Sequence, residues 1–173
     1  MRKLLVAYAT KAGSTAEIAE FMGKVLREAG AQVDVLPIKQ VRDLSSYSGA
    51  ILGSAIRMGK VLPELVKFVR THATTLSQMP LAYFNVNITL MDDTPESRAI
   101  VDSYFNPLRA ICTPLRVGAF AGRMDYARLS WLMRFLLRQN KEEIPEGDWI
   151  DWKAIRAWTL DVLSLMQREP TPA

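Results

Sequence analysis

Five short apolar runs alternate with amphipathic helical patterns along this chain of 173 residues, and the alternation limits the folds open to it. Most of the runs are continuous, which is typical of strands that are covered on both faces. Strands separated by helical patterns indicate a parallel sheet with crossover helices. The predicted strands are Lys3–Ala9, Gln32–Leu36, Gly49–Gly53, Leu81–Val86 and Leu115–Ala121.

The helical patterns lie between these strands and after the last of them. The first begins at Thr15 and ends at Gly30, and others begin at Pro63, at Pro95 and near Asp151. The sequence therefore predicts a doubly wound α/β fold, with a five-stranded parallel sheet and helices on both faces. We expect one domain over residues 1–169 and a frayed tail over 170–173.

The loop after the first strand carries the clearest functional signal. Hydroxyls at Thr10, Ser14 and Thr15 and a flexible Gly13 lead directly into the first helix. A helix N-terminus with inward-pointing N–H and hydroxyl groups is a phosphate site. Neither GxxxxGK[ST] nor GxGxxG is present, which argues against P-loop and dinucleotide-binding proteins. A mononucleotide phosphate is favoured, and FMN is the leading candidate.

Composition excludes several classes of site and compartment. One cysteine, Cys112, and one histidine, His72, leave no intramolecular disulfide, Cys-rich metal site or usual zinc site, so no metal is predicted. No apolar run is long enough to span a membrane, and no cleavage site follows the first run. We expect a cytoplasmic protein with a mildly basic surface, since the net charge is +4.

Ligands of doubly wound folds bind beyond the carboxyl ends of the strands, which directs attention to three loops: Thr10–Thr15, Ser54–Lys60 and Asn85–Asp93. Their residues resemble the flavodoxin superfamily, and within it the flavodoxin-type, menaquinone-dependent protoporphyrinogen oxidases. The motifs that carry this resemblance are Thr10–Thr15, Gly53–Gly59, Phe68–Thr74, Met79-Pro80, Asn85–Asn87 and Gly118–Gly122.

The resemblance implies a flavodoxin-like fold, noncovalent FMN, oxidation of a porphyrinogen and a quinone as electron acceptor. It implies that the first loop binds the FMN phosphate, that the second flanks the isoalloxazine and that the third contacts the pyrimidine edge. The implied FMN-binding residues are Thr10, Lys11, Ala12, Gly13, Ser14, Thr15, Ser54, Ala55, Ile56, Arg57, Met58, Gly59, Asn85, Val86 and Asn87.

Arg57 is the one candidate catalytic residue. It would stabilise negative charge on reduced flavin or bind a propionate of the substrate, although a solvated loop arginine is an equal alternative. Met58 stands where the family often has an aromatic side chain. His72 is interpreted as a helix-terminal residue rather than a general base, and Cys112 as a small buried hydrophobe.

The segment Arg123–Lys141 is basic and amphipathic, with Trp131 and Phe135 among its apolar residues. Such a helix either lies on an anionic membrane surface, on the inner face of the membrane, or packs on its own domain with a solvated basic face. Nucleic-acid binding is not predicted. The alternative overall function is a flavodoxin-type electron carrier without its own substrate, although such carriers are typically acidic.

Overall fold

The computed structural model describes residues 3–11, 13–125, 127, 131–132, 134–135 and 146–168. The strands are β1 (Lys3–Ala9), β2 (Gln32–Pro37), β3 (Tyr47–Arg57), β4 (Lys60–Val61), β5 (Leu81–Asn87), β6 (Arg116–Ala121), β7 (Arg123–Met124) and β8 (Gly147–Asp148). The helices are α1 (Ser14–Glu28), α2 (Pro63–Thr71), α3 (Ala73–Leu76), α4 (Pro95–Ser103), α5 (Asn106–Arg109) and α6 (Trp152–Gln167), with 3₁₀ turns at Ile38–Gln40 and Thr89–Met91.

The central sheet has the order β2-β1-β3-β5-β6, and every pairing along this path is parallel. This order is that of the doubly wound flavodoxin-like fold, so the predicted fold class is confirmed. The short strand β4 pairs antiparallel with the end of β3, and β7 pairs antiparallel with β8 in a separate ribbon. The strand order changes direction beside β1, which brings the loops after β1 and β3 together.

Two cores lie on opposite faces of the sheet because successive strand residues point to opposite sides. In β1, Leu5 and Ala7 belong to the core under α2, α3 and α5, whereas Leu4 and Val6 belong to the core under α1 and α6. All four are buried, which explains the continuous apolar run in the sequence.

The helices begin and end at residues that suit those positions. Thr94 caps α4 through a reciprocal pair of hydrogen bonds with Ser97, and the Asp151 carboxylate accepts from the N–H of Ala154 at 2.9 Å at the start of α6. Gly30 follows α1 with φ of +90°, the left-handed conformation that glycine adopts without strain. These boundaries match the predicted helix starts and the predicted end of the first helix.

Two predicted segments differ from the structure. The third strand does not end at Gly53 but continues to Arg57, because Ile56 and Arg57 pair with Val61 and Lys60 of β4. The basic segment begins as strand β7 at Arg123 rather than as a helix.

Part of the basic segment, including residues 128–130 and 136–141, lies outside the described residues. Among the described residues, no helix has both the length and the apolar character needed to cross a membrane.

Candidate functional site: a cleft at the carboxyl edge of the sheet

A cleft of about 720 Å³, counting the open space at its mouth, lies beyond the carboxyl ends of the parallel strands. The start of α1, the end of β3, the end of β5 and the segment after β6 form its walls. The lining residues are Ser14, Thr15, Ala55, Ile56, Val86, Asn87, Ile88, Gly122, Arg123, Met124 and Asp125.

The start of α1 supplies the donors expected for a phosphate. Gly13 precedes the helix with φ of +93°, and its N–H donates to the Thr10 hydroxyl at 3.3 Å. No side chain among the described residues caps this helix. Ser14 and Thr15, the first two helical residues, line the cleft. The N–H groups of a first helical turn have no acceptors within the helix, and anion sites commonly use such groups together with hydroxyls.

The other members of this loop contribute less to the cleft. The ammonium of Lys11 lies 3.7 Å from a carboxylate oxygen of Glu64 at the start of α2, and its side chain is 52% exposed. Lys11 is not among the residues that line the cleft, although it was predicted as a binding residue. Ala12 lies outside the described residues.

The second predicted segment is a β-hairpin rather than an irregular loop. Ala55 and Ile56 line the cleft from the end of β3, and Arg57 is half-buried beside them. Met58 and Gly59 form the two-residue turn with φ of +51° and +70°, the signs of a type I′ hairpin turn. Met58 is 95% exposed at the tip.

Ser54 does not line the cleft, although it was predicted as a binding residue. Its side chain is fully buried, and its hydroxyl accepts from the N–H of Leu62 at 2.9 Å and donates to the carbonyl of Ala55 at 2.6 Å. These hydrogen bonds connect the end of β3 to the residue that precedes α2, so Ser54 supports the hairpin instead of contacting a ligand.

The third predicted segment contributes one amide to the cleft, not two. Asn87 and Val86 line the cleft at the end of β5, whereas Asn85 is fully buried below them. The Asn85 amide donates to the carbonyl of Val101 at 3.1 Å and accepts from the amide of Asn87 at 2.7 Å. The Asn87 side-chain oxygen also accepts from the N–H of Leu90 at 2.9 Å.

The wall after β6 was not predicted as part of the site. Gly122 approaches the start of α1 so closely that a Cβ there would lie 3.3 Å from the Ser14 hydroxyl and 2.9 Å from a Val86 methyl. Arg123, Met124 and Asp125 were missed as well, and so was Ile88, although the loop that contains it was predicted to border the site. Gly122 directly follows an apolar strand run, and this signal could have identified the wall, since a strand end of the same sheet is where ligands bind.

Arg123 holds this wall in place. Its guanidinium lies 2.8 Å from a carboxylate oxygen of Glu17 in α1 and 2.9 Å from one of Asp148 in β8. The hydrogen bond to Asp148 and the charge of Glu17 raise the pKa of Arg123 above its ordinary value. The carboxylates of Glu17 and Asp148 offset the charge of Arg123. The wall after β6 therefore presents hydrogen-bond donors rather than an uncompensated positive charge.

His72 lies at the end of α2 and Cys112 in the core on the same side of the sheet, and neither lines the cleft. His72 caps the C-terminus of α2 and packs on the ring of Phe68 with centroids 4.5 Å apart. Cys112 is buried, its Sγ contacts the carbonyl of Ala73 at 3.5 Å, and burial raises the pKa of its thiol. The described residues contain no group of His, Cys, Asp or Glu placed to hold a metal ion.

A phosphorylated flavin fits the chemistry of this cleft. Hydrogen-bond donors lie at the start of α1, and the absence of a Cβ at Gly122 leaves space beside Ser14. Apolar contacts for an aromatic ring come from Ala55, Ile56, Val86 and Ile88. A family model described as a flavodoxin domain matches residues 5–146. The chain belongs to this family. Membership implies FMN as the cofactor.

Two curated relatives cover most of this chain. It is 27% identical over 162 residues to the protoporphyrinogen IX dehydrogenase [quinone] of Escherichia coli K12, a match that covers 85% of this chain and 88% of that protein. It is 29% identical over 176 residues to the Leishmania major protein of the same name, covering 94% of this chain and 75% of that protein.

Solved flavodoxin structures share the fold. An archaeal flavodoxin superposes with a TM-score of 0.59 at 15% identity, covering 96% of this chain and 99% of the other. Oxidised flavodoxin 1 from Bacillus cereus superposes with a TM-score of 0.59 at 16% identity, covering 94% and 97%. At this identity the likeness concerns the fold alone.

Proposed function

We propose that this protein is an FMN-dependent oxidoreductase that removes hydrogen from a porphyrinogen and passes the electrons to a quinone. The observation that carries the proposal is the match to the E. coli dehydrogenase, which spans 88% of that protein. The cleft supports it, because its donors and apolar walls suit FMN and two of its lining residues, Ala55 and Ile56, lead into the β3–β4 hairpin. FMN supplies the two-electron chemistry, and the chain supplies binding, orientation and access.

In this proposal the start of α1 binds the phosphate through its N–H groups and the hydroxyls of Ser14 and Thr15. The backbone of Ala55 and Ile56 lies along the flavin ring, and Gly13 allows the loop to approach the phosphate closely. Met58 and Gly59 border the ring at the tip of the hairpin, where the polarizable sulfur of Met58 takes the place of an aromatic contact.

Arg57 is proposed as the residue that acts on the substrate. It is half-buried at the end of β3, next to cleft-lining Ile56. A guanidinium binds a carboxylate through two parallel hydrogen bonds, so Arg57 would hold a propionate of the porphyrinogen. Arg57→Lys keeps the charge but loses the paired geometry, whereas Arg57→Gln loses both. We expect KM for the porphyrinogen to rise in the order wild type, Arg57→Lys, Arg57→Gln, with bound FMN unchanged.

The activity is tested anaerobically with holo-protein, protoporphyrinogen IX and a menaquinone analogue, following porphyrin fluorescence. Porphyrin formation that requires both the protein and the quinone supports the proposal. A rate equal to that of the protein-free control, with FMN bound, overturns it and leaves the electron carrier as the function to test.

We further propose that the segment Arg123–Lys141 contacts the membrane that holds the quinone, from its cytoplasmic face. Trp131, Leu132 and Phe135 are helical and exposed by 77%, 50% and 54%. Aromatic side chains exposed on a basic segment are typical of helices that lie in the interface of an anionic bilayer.

Vesicle flotation tests this contact. Binding to vesicles containing phosphatidylglycerol, lost at high salt and reduced in the Trp131→Ala/Phe135→Ala variant, supports it. Ile100→Ala, which removes an exposed apolar side chain from α4, is the matched control and should bind as the wild type does. Equal flotation of the double variant and the wild type contradicts the proposal.

A further inference from the structure

Two buried asparagines on β5 form a chain of hydrogen bonds that ends in the wall of the cleft. Asn85 and Asn87 are two residues apart on one strand, so their side chains leave the same face. They are 0% and 4% exposed. The Asn85 amide donates to the carbonyl of Val101 in α4, Asn87 donates to Asn85, and the N–H of Leu90 donates to Asn87, at 3.1, 2.7 and 2.9 Å. We call this the amide relay.

The two ends of the amide relay determine its direction. The carbonyl of Val101 can only accept, so the NH₂ group of Asn85 must face it and the Asn85 oxygen must face Asn87. The N–H of Leu90 can only donate, so the oxygen of Asn87 must face it. Reversing either amide would bring like groups together in a buried site, where an unsatisfied polar group costs about 1–3 kcal/mol. The head-to-tail arrangement also strengthens each bond.

The amide relay ends at the junction of two cleft walls. Asn87 lines the cleft, and Ile88, the next residue, lines it as well. The backbone carbonyl of Asn87 accepts from the N–H of Gly122 at 2.8 Å, which ties the β6 wall to the same point. The two walls therefore meet at Asn87, whose side chain is linked to α4 through Asn85.

We propose that the amide relay positions the bound flavin: it fixes the walls at Ile88 and Gly122 and thereby determines the affinity and redox potential of FMN. Asn85 and Asn87 are positioning residues in this assignment. It rests on FMN binding and not on the porphyrinogen reaction, so failure of the porphyrinogen assay leaves it intact.

Asparagine-to-aspartate substitution gives a direct test because the two side chains have almost the same shape. In Asn87→Asp, an ionised carboxylate accepts from Leu90 but cannot donate to the oxygen of Asn85, so two oxygens oppose each other. A protonated carboxyl restores both bonds, because its O–H donates to Asn85 and its C=O accepts from Leu90. Burial and the opposing oxygen raise the pKa of the introduced carboxyl. The defect is therefore absent at low pH and grows as pH rises through that raised pKa.

Other charged groups on the elements around the relay are present in every variant. They are Asp92 and Asp93 before α4, Glu96, Arg98 and Asp102 in α4, Arg116 in β6, and Arg123 and Asp125 after β6. Their titration and that of the FMN phosphate cancel when each variant is compared with the wild type at the same pH. Asn106→Asp, the same change at an exposed position in α5, is the matched control.

The experiment measures the FMN dissociation constant, the visible circular dichroism of bound FMN and its midpoint potential between pH 5 and pH 8. For Asn87→Asp we expect FMN binding to weaken tenfold or more at pH 8, with altered dichroism and potential, and to return to the wild-type value near pH 5. Asn85→Asp should follow the same profile, although its own side chain does not line the cleft. Asn106→Asp should match the wild type throughout.

Wild-type affinity, dichroism and potential for Asn87→Asp at pH 8 would overturn the proposal, as would a loss that persists unchanged at pH 5. Asn87→Ser keeps the test decisive if Asn87→Asp does not fold. A serine hydroxyl is too short to bridge Asn85 and Leu90, so altered flavin dichroism and weaker FMN binding at every pH are expected. Wild-type values for Asn87→Ser would overturn the proposal equally.

Discussion

Replacing the two hydroxyls at the start of α1 should selectively remove affinity for the phosphate of FMN. In Ser14→Ala/Thr15→Ala the hydroxyls of two cleft-lining residues are lost, while the backbone N–H groups of the helix start remain. A hydrogen bond to a charged group contributes about 1.5–3 kcal/mol, so two contribute about 3–6 kcal/mol. At 1.4 kcal/mol per factor of ten, FMN should bind roughly 10²–10⁴-fold more weakly. Alanine has the higher helix propensity, so α1 should persist.

Riboflavin, which lacks the phosphate, separates this effect from general damage to the cleft. Apo-protein is titrated with FMN and with riboflavin, following the quenching of flavin fluorescence. The variant should lose FMN affinity but keep riboflavin affinity within about threefold, so most of the preference for FMN over riboflavin should be lost. Ser103→Ala, an exposed hydroxyl at the end of α4, should change neither value. Unchanged FMN affinity in the double variant, or an equal loss for both ligands, would refute the phosphate placement.

Three further predictions concern the framework of the fold. Met58→Asn should raise the melting temperature of the apo-protein by about 1–4 °C, since asparagine tolerates the positive φ at this turn; a lower melting temperature would contradict the turn geometry. Gly53→Ala should lower the melting temperature by roughly 6–12 °C, because the new Cβ would lie 2.0 Å from the buried ring of Phe84. Gly53→Ala/Phe84→Leu should recover part of the loss, and additive effects of the two substitutions would contradict this explanation. The hydrogen bond from Lys3 lowers the pKa of Asp34, so the ionised Asp34 side chain stabilises the fold above about pH 4 and this stabilisation is lost as pH falls. The difference in unfolding free energy between wild type and Asp34→Asn should therefore narrow below that pH, and a difference that stays constant would contradict the prediction.

The sequence was sufficient for the fold because its signals were local and mutually consistent. Continuous apolar runs such as Lys3–Ala9 identified strands buried on both faces, and Thr94-Pro95 identified a helix start that the capping hydrogen bonds confirm. The hairpin at Arg57–Lys60 was missed because its turn contains Met58, not the asparagine that usually precedes glycine in a type I′ turn.

The site was harder to predict because lining a cleft depends on side-chain direction and on contacts distant in sequence. Ser54 and Asn85 stand in the right segments, but their polar atoms bond to Leu62 and Val101, residues that only the tertiary fold brings near. The wall at Gly122–Asp125 is the opposite case, because its residues line the cleft but were not predicted to do so. Beyond Gly122 it shows no recognisable motif, and its position beside the start of α1 depends on the close approach of Gly122 to Ser14, which only the tertiary fold creates.

The most direct test of the proposed function is a single anaerobic mixing of holo-protein with protoporphyrinogen IX in the absence of any quinone. The visible absorbance of oxidised FMN and the fluorescence of the porphyrin product are followed together. The proposal predicts that flavin absorbance falls as the porphyrinogen is oxidised. Because each FMN accepts two electrons and formation of the porphyrin removes six, at most one porphyrin appears for every three FMN reduced. A menaquinone analogue added afterwards should restore the flavin absorbance and allow further porphyrin to form. Flavin that stays oxidised in the presence of the porphyrinogen, while chemical reductants still reduce it, would contradict the proposal.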